Sequence, residues 1–416
     1  MGGGGPPPRG AAPPPGAVAH VNPNTGGDDP DHGMLCATAL AFLAAVAVNR
    51  ELRRAGSPRA VGNPELLALV DLVALATVAD VMPLVGLNRA FVARGIEAMR
   101  RGPRPGVAAL ARAAGVELAT IDAEAIGYAL APRLNAAGRL DDAGLGVALL
   151  LAEDVACAER LAQRLDRLNR ERQAIEAAVL AEAVAEAERQ VEAGRSVVVV
   201  AGRGWHPGVV GIIAGRLRER FGRPAIVLAL AGGTAVGSGR SVSGLDLGAA
   251  IGALVREGLV LKGGGHAAAA GVTLDAARIP AFADALQAAW GERKAVVEPL
   301  VIEGRCSVEG VTAEAVHALA SLGPFGSGNA EPLFEIVGRI ASLSAVGASG
   351  AHIRLALEGE GGGRLEAIAY RAGETALGRG LVAARGSVVR AVGALRLDRF
   401  RGEGAVALRL VDAALS

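Results

Sequence analysis

The chain has 416 residues, which predicts roughly two or three domains and a core of adequate size. Its formal net charge of +1 gives no overall attraction to nucleic acid, so any such partner has to be held by a local positive patch. The three cysteines lie far apart without metal-ligand spacing, which argues against a zinc site or a disulfide framework. Charges interrupt the apolar stretches before membrane-spanning length, and the N-terminus lacks a signal pattern, so we expect a cytoplasmic protein that makes no membrane contact.

The N-terminal third begins with a Gly/Pro-rich segment, residues 1–17, whose composition predicts a disordered tail. A helical pattern follows over Leu35 to Arg54, and a second apolar run extends from Pro64 to Ala79. Asp80 ends this run just before a proline. A carboxylate at the end of a buried element can present a metal ligand, and the alternative is a cap or turn residue.

Residues 130–143 are expected to form a loop that carries Arg133, Asn135 and Arg139. Small neighbours beside these polar side chains suit the close approach of a ligand, and the alternative is ordinary exposed charge. The next segment, from about residue 152 to 193, has leucines and other apolar residues at three- and four-residue spacing. This pattern predicts one long amphipathic helix that connects domains.

An α/β unit follows the long helix. Residues 196–201 and 225–230 read as buried strands, and residues 204–211 as the turn into a helix. His206 stands where that helix would begin, either as a packing or capping residue or facing a ligand. Ser238 and Arg240 are expected on a loop after the second strand, where a hydroxyl and a planar guanidinium match phosphate oxygens.

The most informative segment is Lys262 to Gly271, in which three glycines precede a histidine. The backbone amides of Gly263, Gly264 and Gly265 could curl into a concave nest for an anion, with His266 at its edge as a donor or proton carrier. The expected guest is a phosphate. The alternative is a turn with a histidine whose hydrogen bonds are satisfied within the fold.

The last 120 or so residues contain short alternating runs separated by glycine-rich turns, a pattern typical of a small antiparallel sheet or barrel. Few aromatic rings are available there for stacking on bases, namely Phe325, Phe334, Tyr370 and Phe400.

Six segments in order resemble the RecJ family of the DHH phosphoesterase superfamily: residues 71–84, 133–139, 204–211, 237–241, 262–271 and 322–332. The resemblance implies an α/β protein whose residues 18–150 are the C-terminal part of a DHH catalytic domain, with helices on a parallel sheet. It further implies a connecting helix over 151–194, an α/β DHH-associated domain over 195–296 and a C-terminal β-barrel, an OB-fold, over 297–416.

The family resemblance implies a 5′-to-3′ exonuclease specific for single-stranded DNA, acting in repair and recombination with a helicase and a single-strand-binding protein. Asp80 resembles a metal-ligating aspartate, Arg139 a phosphate-contacting arginine, and Ser238 with Arg240 the pocket for the 5′-phosphate. His266 resembles the histidine near the scissile phosphate. Two divalent cations, Mn²⁺ or Mg²⁺, would activate water and stabilise the leaving oxygen.

The chain departs from the family pattern at its N-terminal side, where no Asp-x-Asp follows a first strand and neither the second aspartate motif nor an Asp-His-His sequence is found. Asp31 and His32 come too late in the family order, and we assign them no metal role. We therefore expect little or no nuclease activity from this polypeptide alone, and an unstable 18–150 region, because the first strands of its sheet would be missing.

Two explanations fit this departure: a fragment or mis-started reading of an exonuclease, or a paralogue that binds DNA without cutting it. We favour the first, because the other motif residues remain in place. A third possibility is a phosphodiesterase for short or cyclic nucleotides, against which the C-terminal barrel argues.

Overall fold

The computed structural model describes residues 16, 18, 20–24, 30–291, 299–347, 350–398, 402 and 404–416. The predicted tail, apart from Gly16, lies outside the described part of the chain. The chain divides into two compact units. The first unit comprises Met1–Pro103, Glu117–Tyr128 and Leu300–Ser416, and the second comprises Arg104–Val116 and Ala129–Pro299.

Helices make up most of the chain before residue 194, and the expected long helix is present as α9. In chain order the helices are α1 (Ala37–Arg54), α2 (Asn63–Leu67), α3 (Val70–Ala79), α4 (Gly86–Arg101), α5 (Pro105–Ala114), α6 (Ala123–Ala125), α7 (Ala131–Leu140), α8 (Gly144–Leu150), α9 (Val155–Glu192), α10 (Pro207–Phe221), α11 (Leu247–Arg256), α12 (Ile279–Trp290), α13 (Ala313–Ala320) and α14 (Ala376–Ala383). A π-helical turn, Ile126–Leu130, leads into α7, and 3₁₀ turns occupy Pro30–Met34, Leu118–Thr120 and Ala276–Arg278.

The strands form two sheets, one in each unit. They are β1 (Val198–Arg203), β2 (Ala225–Ala231), β3 (Thr234–Arg240), β4 (Lys262–His266), β5 (Ala269–Asp275), β6 (Gly304–Cys306), β7 (Phe334–Val346), β8 (His352–Glu358), β9 (Arg364–Ala369), β10 (Val388–Leu397) and β11 (Val406–Leu415). The sheet of the second unit has the order β1-β2-β3-β5-β4, with β1 parallel to β2 and the remaining pairs antiparallel.

The two faces of this sheet bury different cores, because side chains alternate along each strand. On one face Val198, Val200 and Val227 pack with α10 and with the C-terminal half of α9. On the other face Ile226 and Leu228 pack with α11 and α12. On this second face α11 also covers β4 and β5. On the first face α10 packs mainly on β2 and β3.

A two-residue turn, Gly232–Gly233, joins β2 to β3 and fixes their register, in which Ala231 pairs with Thr234. Both glycines have positive φ, 56° and 82°. Such a turn requires φ above zero at both central positions, which only glycine adopts at low cost, and its twist matches that of the strands.

In the first unit the C-terminal strands close into a barrel, as the sequence predicts. Five strands follow one another in the order β10-β11-β9-β8-β7, and β7 pairs again with β10 to complete the ring. Ile336, Leu355, Leu357 and Leu408 lie fully inside it. The mixed α/β class is confirmed. Described residues 30–150, however, contain helices and turns but no strand, so the parallel sheet that the resemblance implies for this region is not among them.

Four charged side chains join the barrel to helix α6 and to the loop that precedes β7, both in the same unit. Glu331 accepts 2.7 Å hydrogen bonds from both Arg396 and Arg409, and Glu124 pairs with the same two arginines. Burial acts to lower the pKa of Arg396, but the hydrogen bond and charge of Glu331, together with Glu124, raise it overall. The carboxylate of Glu331 is mostly buried, which makes it the centre of this network.

The substitution Glu331→Gln is expected to lower the free energy of unfolding by about 2 kcal/mol, because it leaves two half-buried guanidinium groups without their central carboxylate. Urea unfolding of the variant would measure this. Glu360→Gln, an exposed change of the same kind in the same barrel, is the control. Equal stability of the two variants would contradict the role assigned to the network.

Within the described ranges, no helix is both long enough and apolar enough to cross a membrane.

Candidate phosphate-binding site

The register of the second unit's sheet brings the two polar motifs of the sequence onto one face. Ser238 pairs with Gly271, which pairs in turn with Gly264. Arg240 pairs with Ala269, which pairs with His266. Residues two apart on a strand share a face, so these side chains stand in two adjacent rows on the side of the sheet that carries α10.

The floor between these side chains is formed by small residues, namely Gly264, Gly271 and Ala269. A Cβ atom added at Gly264 or at Gly271 would meet no atom within 4 Å, and both glycines are exposed, as is His266. Ser238 and Arg240 are partly buried at the border of α10. The face therefore offers a hydroxyl, a guanidinium and an imidazole beside strands that a ligand's backbone can approach closely.

The glycine nest expected at residues 263–265 is wrong in its geometry. These residues form the extended strand β4, and none has a positive φ. Extended backbone points successive N–H groups to opposite sides, so the three amides do not converge on one anion. Gly263 and Gly265 instead allow close packing on the opposite face, where a Cβ would lie 2.5 Å from Ile251 and 2.2 Å from the Ala269 carbonyl oxygen.

The segment that holds Ser238 and Arg240 is strand β3, which corrects the expected loop. A Cβ atom at Gly237 would lie 2.3 Å from the carbonyl oxygen of Val227, so this glycine permits the strand to pair closely. The strand holds Arg240 beside Ser238, and its Nη1 donates to the Ser238 hydroxyl at 3.0 Å. The two side chains named by the sequence thus form one donor pair.

Helix α10 reaches this donor pair because it has a glycine at the contact. A Cβ at Gly211 would lie 3.2 Å from the Ser238 hydroxyl and 3.5 Å from Nη2 of Arg240. Burial lowers the pKa of the Arg240 guanidinium, and the positive charges of Arg218 and Arg139 lower it further. The guanidinium stays charged at neutral pH, and a bound anion would relieve this repulsion.

The N-terminus of α10 brings Arg139 and His206 together. His206 is the N-cap, and its Nδ1 accepts a hydrogen bond from the Gly208 amide at 3.0 Å. Arg139 donates from Nη1 to the Gly208 carbonyl oxygen at 2.8 Å. The capping role of His206 is therefore seen directly, while its contact with a ligand stays a prediction.

Arg133, Asn135 and Arg139 lie on helix α7, not on the expected loop. Pro132 stands in the first turn, where proline favours a helix, and small alanines continue it. Asn135 and Arg139 are four residues apart on an exposed face. Arg133 points elsewhere and donates to Asp166 at 2.9 Å. DNA contacts by Arg133 and Asn135 remain predictions.

Sequence reasoning missed a pair of charged residues behind Arg139, namely Arg172 and Glu176 on α9. Burial lowers the pKa of Arg139, the charge of Arg172 lowers it further, and Glu176 opposes both. The signal was present in the sequence: both residues interrupt the apolar stripe that Leu168, Ile175 and Val179 define. A charged pair on a buried stripe indicates a partner on a neighbouring helix.

Asp80 belongs to the first unit, where it follows the last residue of α3. The next residue, Val81, has a φ of 57°, so the chain turns sharply there. No group of three or more histidine, cysteine, aspartate or glutamate side chains suited to a metal occurs in the described ranges. These residues therefore do not fit a two-metal site by themselves, and the metal role of Asp80 stays a prediction.

Comparison with known proteins agrees with this architecture. A DHHA1 domain model matches residues 194–292, and a RecJ OB domain model matches residues 302–412. The sheet with its glycine floor and the closed barrel thus define a protein that joins a DHHA1 domain to an OB domain. The chain belongs to the RecJ family.

Individual relatives support the assignment. The single-stranded-DNA-specific exonuclease RecJ of Dickeya dadantii (strain 3937) is 39% identical over 85% of this chain and 63% of its own length. A RecJ structure from Thermus thermophilus with Mn²⁺ matches with a TM-score of 0.72 and 31% identity over 88% of this chain and 51% of that one.

A third match is an exonuclease RecJ structure bound to manganese, which is 34% identical over 69% of this chain and 68% of that one, with a TM-score of 0.54. The chain spans 63% of the length of the Dickeya relative.

Proposed function

We propose that this chain forms the DNA-binding and phosphate-positioning part of a 5′-to-3′ exonuclease specific for single-stranded DNA, acting in repair and recombination. The observation that carries the proposal is the open sheet face on which Ser238, Arg240 and His266 share a floor of glycine and alanine. Partly buried arginine beside a hydroxyl suits a terminal phosphate, and unblocked backbone suits one unpaired strand.

In this proposal Arg240 and Ser238 bind the 5′-phosphate, and the clustered charge of Arg139 stabilises negative charge on the phosphate that reacts. His266 lies on the same face, in the row of Arg240 and two strands away from it, as a hydrogen-bond donor to that phosphate. The OB barrel binds the strand further along, as such barrels commonly do. A small-substrate phosphodiesterase would have no use for this barrel.

Two of the solved RecJ structures are complexes with Mn²⁺ and with Mg²⁺. We propose that the active family site uses such ions and that Asp80 contributes one ligand, because hard oxygen ligands suit them. The described residues supply no further cluster, so we expect this polypeptide alone to hydrolyse DNA slowly or not at all. A helicase and a single-strand-binding protein are the proposed partners, and the cytoplasm is the proposed location.

The test compares binding of one single-stranded oligonucleotide with a 5′-phosphate or a 5′-hydroxyl, in EDTA, by fluorescence anisotropy. We expect the phosphorylated strand to bind about tenfold more tightly, because a charge-assisted contact contributes about 1.5–3 kcal/mol. Equal affinities would contradict the phosphate site. Affinity should also fall steeply with salt, since binding releases counterions.

A second candidate is a RecJ relative that binds DNA without cutting it, which the missing cluster of ligands in the described ranges favours. Incubation of the phosphorylated strand with Mn²⁺ separates the two. Turnover would support the exonuclease, whereas salt-sensitive binding with no turnover at any metal concentration would support the binding protein.

A further inference from the structure

Glu176 is a buried carboxylate on the middle of α9, and each of its oxygens serves a different arginine. Oε2 accepts a hydrogen bond from Nη1 of Arg172 at 2.8 Å, and Oε1 lies 3.5 Å from Nε of Arg216 on α10. Glu176 and Arg172 are each only 9% exposed. One side chain thus ties the long helix to the helix that borders the phosphate site.

The second anchor of Arg172 is Asn169, whose buried Oδ1 accepts hydrogen bonds from Nε at 3.3 Å and from Nη2 at 3.0 Å. Arg172 is therefore held on both sides of its guanidinium, and it cannot turn toward a ligand. Its positive charge nevertheless acts on Arg139 of helix α7, which packs against α9.

The hydrogen bond of Arg139 described above goes to a neutral carbonyl oxygen, not to a carboxylate. Glu176 is the carboxylate that acts on Arg139, but its oxygens are taken by Arg172 and Arg216. The cluster of Arg139, Arg172, Arg216 and Arg240 therefore keeps a net positive charge around α10.

Resting on the function proposed above, we propose that Glu176 is a positioning residue for phosphate recognition. It holds Arg172 and Arg216 in a fixed arrangement, which seats α10 against α9 and leaves the charge of Arg139 available for the phosphate. The preference for a 5′-phosphate should then depend on Glu176, although this side chain touches no substrate.

The test uses Glu176→Gln in the full chain, which keeps the shape of the side chain and removes its charge. We expect preference for the 5′-phosphorylated over the 5′-hydroxylated strand to fall about tenfold, close to none, because the arginine arrangement loosens. Affinity for the hydroxylated strand should not fall, because one negative charge has been removed. Thermal unfolding shows whether the variant is folded.

The exposed Glu171→Gln, on the same helix, removes the same charge and is the matched control, for which we expect an unchanged preference. Glu176→Asp should recover part of the preference, because it restores the charge. If Glu176→Gln does not fold, Arg216→Gln at the partly exposed end of the network replaces it, with a smaller loss expected in the same direction.

The outcomes separate the two proposals. No phosphate preference in the unaltered chain would contradict the function proposed for the site. A clear preference in the unaltered chain that persists in folded Glu176→Gln, or an equal loss of affinity for both strands, would overturn the role of Glu176.

Discussion

Replacing Arg240 with alanine is expected to weaken binding of a 5′-phosphorylated single strand by about tenfold, which removes the phosphate preference, while affinity for the 5′-hydroxyl strand changes far less. Arg240 is partly buried, lies beside the Ser238 hydroxyl and is surrounded by other positive charges. An anion that binds there meets planar N–H donors that were already partly desolvated when the protein folded, so binding itself requires little further desolvation of Arg240. Anisotropy titrations of both strands measure the change.

The control for this prediction is Arg203→Ala, which removes an exposed arginine at the end of β1 in the same sheet. It should weaken binding of both strands slightly and equally, since it lowers only the overall positive electrostatic potential of the unit. If Arg240→Ala behaves like Arg203→Ala, Arg240 acts only through its charge and the proposed phosphate contact is wrong.

Gly265→Ala should destabilise the second unit by about 3 kcal/mol, because the added Cβ would overlap backbone atoms and force the backbone to move. The added Cβ would lie 2.2 Å from the Ala269 carbonyl oxygen and 2.6 Å from Cα of Ala270, and both are backbone atoms that cannot swing away. Urea unfolding followed by circular dichroism is the measurement. A loss below about 0.5 kcal/mol, the range of neutral surface changes, would contradict the tight packing of β4 on β5.

Gly264→Ala is the natural comparison, one residue earlier on the same strand. Nothing lies within 4 Å of the new Cβ, so stability should be kept. The methyl group would stand on the open floor between Ser238 and His266, so we expect single-strand binding to weaken instead. A loss of stability in Gly265→Ala together with a loss of binding in Gly264→Ala would indicate that the ligand binds on the face that carries Ser238.

Much of the architecture was predictable because its signals are local. The apolar periodicity of α9, the buried strands β1 and β2, and the turn into α10 all follow from short-range pattern. The barrel followed from alternation and glycine-rich turns. His206 was correctly placed at the start of α10, because Pro207 favours the first position of a helix.

The site was predictable in composition but not in geometry. Glycine-rich segments such as 237–241 and 262–266 suggested loops, yet residues 237–240 and 262–266 lie in strands. Gly237, Gly263 and Gly265 are required by close packing against neighbouring backbone and against Ile251, which is remote in sequence. The pairing of Ser238 with Gly264 through Gly271 is likewise a non-local property. The partners of Arg172 and Glu176 outside α9 lie on α7 and α10, so the role of these two charges depends on the packing of α9 against both helices.

The two-residue turn at Gly232–Gly233 affects whether related chains keep the phosphate site during evolution. Because strand side chains alternate, the number of residues between this turn and Ser238 decides which face the donor pair occupies. One inserted residue between Thr234 and Ser238, with the turn unchanged, would move both Ser238 and Arg240 onto the face packed against α11 and α12. Insertions of two residues would preserve the face. The parity of this short segment is therefore a simple criterion for judging whether a related chain has kept the site.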